Sequence, residues 1–138
     1  MQGINRIVIA HRNQGIIDTI TAHIALKYHI TCKTTNDGFV ALRNILKLGP
    51  ELVIIEADLP YLNATDIIRC INKKGYTTKF IVITPDISIK LPCVSETKKV
   101  RTLPCHTQVI KTSYNPDNLN PLLELIDQIE IKQRKISY

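Results

Sequence analysis

Aromatic residues are scarce in this chain. Tryptophan is absent, and phenylalanine and tyrosine together make up 5% of the 138 residues. No aromatic is interleaved with the basic clusters in a stacking pattern, so a platform for single-stranded nucleic acid is not supplied. There are only five glycines, and no glycine-rich phosphate loop among them. No apolar run approaches the roughly 20 residues that span a bilayer. The opening MQGINRIVIA lacks the long apolar core of a signal peptide, and the expectation is a cytoplasmic protein with no membrane partner. The four cysteines, Cys32, Cys70, Cys93 and Cys105, form no CxxC pair and match no structural zinc spacing. In a reducing compartment they are expected as free thiols. Nothing resembles a Ser/His/Asp or Cys/His nucleophile set. The chain is therefore expected to be no enzyme and to carry no metal and no cofactor.

Hydrophobic residues at 44% and charged residues at 22% describe an ordinary globular chain long enough for one core. The formal net charge is +6. Its basic clusters are Lys73-Lys74, Lys98-Lys99-Arg101 and Lys132 to Lys135. Residues 1–130 read as one domain and 131–138 as a basic tail. Such charge serves solvation, or it is a footprint for an acidic partner or nucleic acid.

Hydrophobic periodicity gives the organisation. Residues 6–10 (RIVIA) read as a β-branched buried strand. Ile16, Ile17, Ile20, Ile24 and Tyr28 then recur at helical spacing over 14–28. Residues 30–34 read as a short polar strand near a sheet edge. Asp37 opens a second helix with Val40, Ala41, Leu42, Ile45 and Leu46 inward, and Gly49-Pro50 stops it. The stretch PELVIIEADLP, residues 50–60, holds the third strand (51–56), a short apolar run ending on Glu56. A helix starting at Asn63 or Thr65 runs through Ile67, Ile68 and Ile71 to Gly75. Residues 79–84 (KFIVIT) are a fourth strand. Pro85, Pro92 and Pro104 break the pattern over 85–105, leaving room for a short helix near 94–101. Strand five is expected at 106–110, and a last helix with Asn120 as N-cap, Pro121 at N1 and Leu122, Leu123, Ile126 and Ile129 inward. Strands alternating with helices imply parallel pairing through right-handed crossovers, a doubly wound flavodoxin-like sheet of five strands and five helices.

In such a sheet the C-terminal ends of the strands bind ligands. The residues there are His11 and Arg12 after strand one, Glu56 ending strand three, Thr84 ending strand four, and Lys111 after strand five. Together with Asp37-Gly38, Ala41-Leu42 and Asn63, taken in order, this set resembles the receiver domain of two-component response regulators over nearly the whole chain. The resemblance implies a strand-three Asp that accepts phosphoryl from a histidine kinase, an acidic pair after strand one that binds Mg²⁺ with it, and a hydroxyl and a Lys on the phosphoryl oxygens. Thr84 and Lys111 match that pattern. Glu56 stands at the phosphoacceptor position, and His11 and Arg12 stand at the acidic pair. Gln108 occupies the switch position, where receivers carry an aromatic. Asp58 is a candidate substitute acceptor, although the resemblance gives that position a backbone role.

The departures fall on the chemistry. Mg²⁺ requires several oxygen ligands in tight geometry. Arg offers no acceptor and His at most one nitrogen. Glu displaces the nucleophilic oxygen by roughly one bond length, and misplacement on that scale can lower a rate about 100-fold. The leading expectation is therefore a pseudo-receiver. It would act as a phosphorylation-independent interaction module, with Arg12 and Lys111 paired to Glu56 and His11 a solvated loop residue. Its partners would be a signalling protein (a histidine kinase or a transcription regulator) or a second copy, with nucleic acid reached only through an output domain or the basic tail. Two readings stay open beside it: a phosphoacceptor using Glu56 or Asp58, and a basic nucleic-acid-associated domain.

Overall fold

Three of the strands are apolar at every interior position, because both faces of the sheet are covered. The structure is a computed structural model and describes residues 4–94, 106–113, 115 and 117–129. Five parallel strands lie in the order β2-β1-β3-β4-β5. They are β1 (Ile7–Ala10), β2 (Lys33–Thr35), β3 (Leu52–Glu56), β4 (Lys79–Thr84) and β5 (Gln108–Ser113). Four helices cover them among the described residues: α1 (Gln14–Tyr28), α2 (Gly38–Leu48), α3 (Ala64–Lys73) and α4 (Asn120–Gln128). The expected doubly wound, flavodoxin-like fold is the one observed.

Strand alternation divides the core in two. Ile7, Ile9, Leu52, Ile54, Ile81 and Ile83 face α1 and α4. Val8, Ala10, Val53, Ile55, Phe80 and Val82 face α2 and α3. The first three helices begin on side-chain caps. Asn13 accepts from the N–H groups of Gly15 and Ile16, Asp37 from those of Phe39 and Val40, and Asn63 from that of Asp66. Each cap contributes about 1 kcal/mol by satisfying otherwise orphaned donors. Gly49, at φ 63, closes α2 in the left-handed conformation that glycine adopts without steric penalty.

Several expectations need correction. The second strand is Lys33–Thr35, not 30–34; Ile30 packs in the core ahead of it. The fifth is Gln108–Ser113, not 106–110, so Lys111 lies inside it and not after it. Both are edge strands, where polar residues blur the hydrophobic signal. Leu46 was expected inward and is exposed, because Gly38, Ala41 and Ile45 form the buried stripe of α2. Asn120 is the first residue inside α4, and Leu119 takes the cap position with no side-chain cap. Asn118 supplies the local acceptor instead, taking the N–H of Asn120 at 3.1 Å. Most of the helix expected near 94–101, Cys105 and the tail 131–138 lie outside the described residues. Val94, the last residue described before that gap, bridges to Val109.

At the N-terminal edge, Arg6 and Glu51 tie the entries of β1 and β3 together, with Nη2 to Oε2 at 2.6 Å. At the opposite edge the chain's winding reverses between β1 and β3, the switch point where sheets of this kind form their sites.

Candidate functional site

Glu56 is the last residue of β3 and pairs in register with Ile83, which pairs with Thr112. Alternation along β3 turns its side chain to the face of Ile54 and α1. There it meets the β1–α1 turn. The Arg12 backbone N–H donates to Glu56 Oε1 at 2.9 Å, Nε to Oε1 at 3.2 Å and to Oε2 at 3.1 Å, and Nη2 to Oε2 at 2.8 Å. Both carboxylate oxygens are therefore engaged by one residue in a fork geometry. The Glu56 side chain is 12% exposed and that of Arg12 58%, so the acid is covered while the guanidinium stands at the surface. Burial pushes the Glu56 carboxyl up. The Arg12 side chain and its backbone N–H outweigh this and hold it below the ordinary range. Arg12 is raised in turn by its hydrogen bond to Glu56, and the exposed Asp58 nearby adds to the same field.

His11 is buried at 3% exposure and not the solvated loop residue that was expected. Its backbone continues the ladder to β2, with its N–H on Thr35 O at 3.1 Å, and its carbonyl accepts from Asn36 Nδ2 at 3.0 Å. Nδ1 accepts the Asn13 N–H at 2.9 Å. An imidazolium has no acceptor nitrogen, so this bond requires the neutral ring. Burial lowers the His11 pKa in the same direction, opposed by Glu56 and reinforced by Arg12. Although Nδ1 stands 3.7 Å from Glu56 Oε1, the pair is a neutral ring beside a carboxylate rather than an ion pair.

Thr84 and Lys111 are turned elsewhere. The Thr84 hydroxyl donates to Asp86 O at 3.2 Å and accepts the Asp86 N–H at 3.1 Å. Lys111 donates to Ile89 O at 2.9 Å and makes no ion pair with Glu56, contrary to expectation. Sheet register supplies the reason. Lys111 pairs with Val82, one row behind Glu56, and shares the face of Ile55 and α3. Side chains one row apart point to opposite faces. Gln108 is exposed at the start of β5, in the row of Lys79 and Leu52. That is four residues back from Thr112, or roughly 13 Å along the strand at ~3.3 Å per residue.

The site thus gathers His11, Arg12 and Glu56 and leaves Thr84, Lys111 and Gln108 apart from them. Sequence reasoning missed Asn13, which both caps α1 and holds His11; an Asn immediately before an apolar-periodic segment is a recognised cap signal. It also missed Asp86. The Asp86 carboxylate accepts from the Ser88 N–H at 3.0 Å and from its hydroxyl at 2.5 Å, forming the turn that receives Lys111. Those bonds hold its carboxyl below the usual range, with the Lys111 charge a lesser contribution.

These residues do not fit Mg²⁺. The acceptor nitrogen of His11 is taken by Asn13, both Glu56 oxygens are taken by Arg12, and a cation fills the remaining position. Among the described residues no group of three His, Cys, Asp or Glu side chains is placed to hold a metal ion. Cys32, packed against the core, has its thiol pushed up to about 12 by burial and is an inert group.

No family model matches the sequence, and no curated protein matches it. Solved structures do resemble the fold. One is a LuxR-family DNA-binding response regulator from Staphylococcus aureus, at 15% identity and TM-score 0.64, with 91% of this chain and 98% of that one covered. A CheY-like response regulator receiver domain protein from Methanospirillum hungatei JF-1 aligns at 17% identity and TM-score 0.64, covering 91% and 92%. The receiver domain of the Francisella response regulator 1452 aligns at 20% identity and TM-score 0.57, covering 61% and 69%. At such identities the likeness establishes the fold: the chain has the flavodoxin-like architecture of receiver domains. No described helix is long and apolar enough to cross a membrane.

Proposed function

We propose that this chain is a receiver-type module of two-component signalling in which an internal ion pair has replaced metal and phosphoryl. It acts by binding a signalling partner and not by accepting a phosphoryl group. The observation that carries the reading is the fork of Arg12 on both oxygens of Glu56. Phosphoryl transfer is positioning plus neutralisation of charge, largely by metal. Here the acid is neutralised in advance, the position of the metal belongs to a guanidinium, and the lysine and hydroxyl are committed to the 84–89 turn. The module is held in one state, and its output is a fixed surface.

The test is exposure of the labelled protein to beryllofluoride with Mg²⁺, followed by amide NMR. The expected spectrum is unchanged. Shifts localised to β3, β4 and β5 would instead establish a phosphoacceptor with unusual ligands, and substitution of Glu56 or of Asp58 by Ala would then identify the acceptor.

A further inference from the structure

The outer face of α2 leaves an apolar patch open. Phe39 is 60% exposed and Leu46 38%. With Leu42 they form a shallow apolar stripe along one side of the helix, bordered by Arg43 and Lys47. Lys47 also borders a neighbouring groove with Lys33 and Leu48. No acidic residue lines either one. Lys33, Arg43 and Lys47 take part in none of the ion pairs among the described residues.

This face cannot roll into the core. A Cβ on Gly38 would lie 1.9 Å from Leu62 O, and the Gly38 N–H donates to Pro60 O at 3.0 Å. That close approach fixes the rotation of α2 and holds Phe39 outward. On the other side of the same contact, Tyr61 is 78% exposed with φ 71, a left-handed conformation that bulky side chains rarely adopt. Two exposed aromatics therefore flank one rigid contact, each next in sequence to a residue that makes it.

We propose that this face docks an acidic amphipathic segment of a partner protein. The segment's apolar side chains rest on Phe39, Leu42 and Leu46, and its carboxylates meet Arg43 and Lys47. Charge complementarity selects this occupant. The stripe is apolar and its border cationic, and the matching ligand is an amphipathic helix whose apolar stripe is bordered by Asp and Glu, packed helix face to helix face. A second copy in a two-fold pairing brings the same cations against themselves, on a chain already carrying +6. A nucleic-acid duplex uses the cations and has no use for the apolar stripe between them. The inference is independent of whether Glu56 accepts phosphoryl, and its test leaves Arg12 and Glu56 untouched.

The full chain, ¹⁵N-labelled, is titrated with a synthetic amphipathic helix carrying Leu on one face and Glu elsewhere. Its twin with Lys for Glu and phosphatidylglycerol vesicles are run in parallel. The Glu peptide is expected to shift amides of residues 33–48 and 60–62, and the Lys twin to bind at least about tenfold more weakly. Phe39→Ala should weaken the Glu peptide by about tenfold. The paired change Arg43→Glu and Lys47→Glu, confined to exposed side chains, should reverse the preference between the peptides. Four results would overturn the proposal: no binding of the Glu peptide, equal binding of both peptides, vesicle binding without peptide binding, or a dimer that Phe39→Ala dissolves.

Discussion

The sheet carries the same clasp at both ends. At the N-terminal edge Arg6 precedes β1 and Glu51 precedes β3; at the C-terminal edge Arg12 follows β1 and Glu56 ends β3. In each the arginine backbone N–H donates to Oε1 of its glutamate, at 2.7 Å and 2.9 Å. In each the guanidinium reaches Oε2 through Nη2, at 2.6 Å and 2.8 Å. The arginines are similarly exposed, at 54% and 58%, but the carboxylates are not: Glu51 is 27% exposed and Glu56 12%. One device thus staples β1 to β3 twice. The edge where a receiver would do chemistry is built like the edge where none is expected. What separates the two is burial, and with it the penalty for leaving an acid unpaired.

The largest effect is expected from Glu56→Gln, which removes a charge-assisted fork from a covered site and should lower stability by about 2 kcal/mol in urea denaturation. An engineered return toward the receiver pattern comes next. With His11→Asp, Arg12→Asp and Glu56→Asp together, excess Mg²⁺ should raise the thermal midpoint, a gain of about 1 kcal/mol at a few times the dissociation constant. The unaltered chain should show no Mg²⁺ dependence. Glu51→Gln should lower stability by about 0.5 kcal/mol, and by less in high salt, since the more exposed pair is better screened. Equal losses at the two ends would erase the distinction drawn between them.

The pH profiles sharpen the comparison further. Both glutamates are held below their ordinary value of 4.5 against the upward push of burial, Glu51 by Arg6 and by the backbone N–H groups of Arg6 and Asn5. Their stabilisation is present above the unfolded carboxylate pKa and is lost as pH falls through the folded value. The C-terminal edge has an additional group. His11 is lowered from 6.5, chiefly by burial, so the unfolded chain takes up its proton first. Stability should start to fall as pH drops through about 6.5, before either carboxylate titrates. His11→Asn preserves an acceptor for the Asn13 N–H and should remove that early decline, the smallest of these effects. Among the described residues the N-terminal clasp has no buried histidine beside its glutamate.

The interior of this fold was legible in the sequence. The runs IVIA, LVIIE and FIVIT read as strands covered on both faces, their alternation with helical segments points to a parallel sheet, and Asp37, Asn63 and Gly49 act at helix ends as their chemistry dictates. The edges were less so: β2 and β5 are polar, and their bounds are set by pairing with β1 and β4. At the site, the sequence places Arg12 and Glu56 at the tips of adjacent strands, which is enough to predict that they meet. It does not carry the parity of Lys111, because one residue of register in β5 decides which face that side chain takes. Nor does it carry the burial of His11, which depends on the ladder bond to Thr35 and the Asn13 N–H. The motif-level match set Lys111 after the fifth strand when it lies inside it, and it was silent on where the Thr84 and Lys111 side chains turn.

The ¹³Cδ resonance of Glu56, followed through a pH titration with and without excess Mg²⁺, reports most directly on who holds that carboxylate. An inflection below that of an ordinary glutamate, unmoved by Mg²⁺ and brought back upward by Arg12→Ala, is the predicted result. A resonance that shifts with added Mg²⁺ while the arginine substitution leaves the inflection in place would contradict the account.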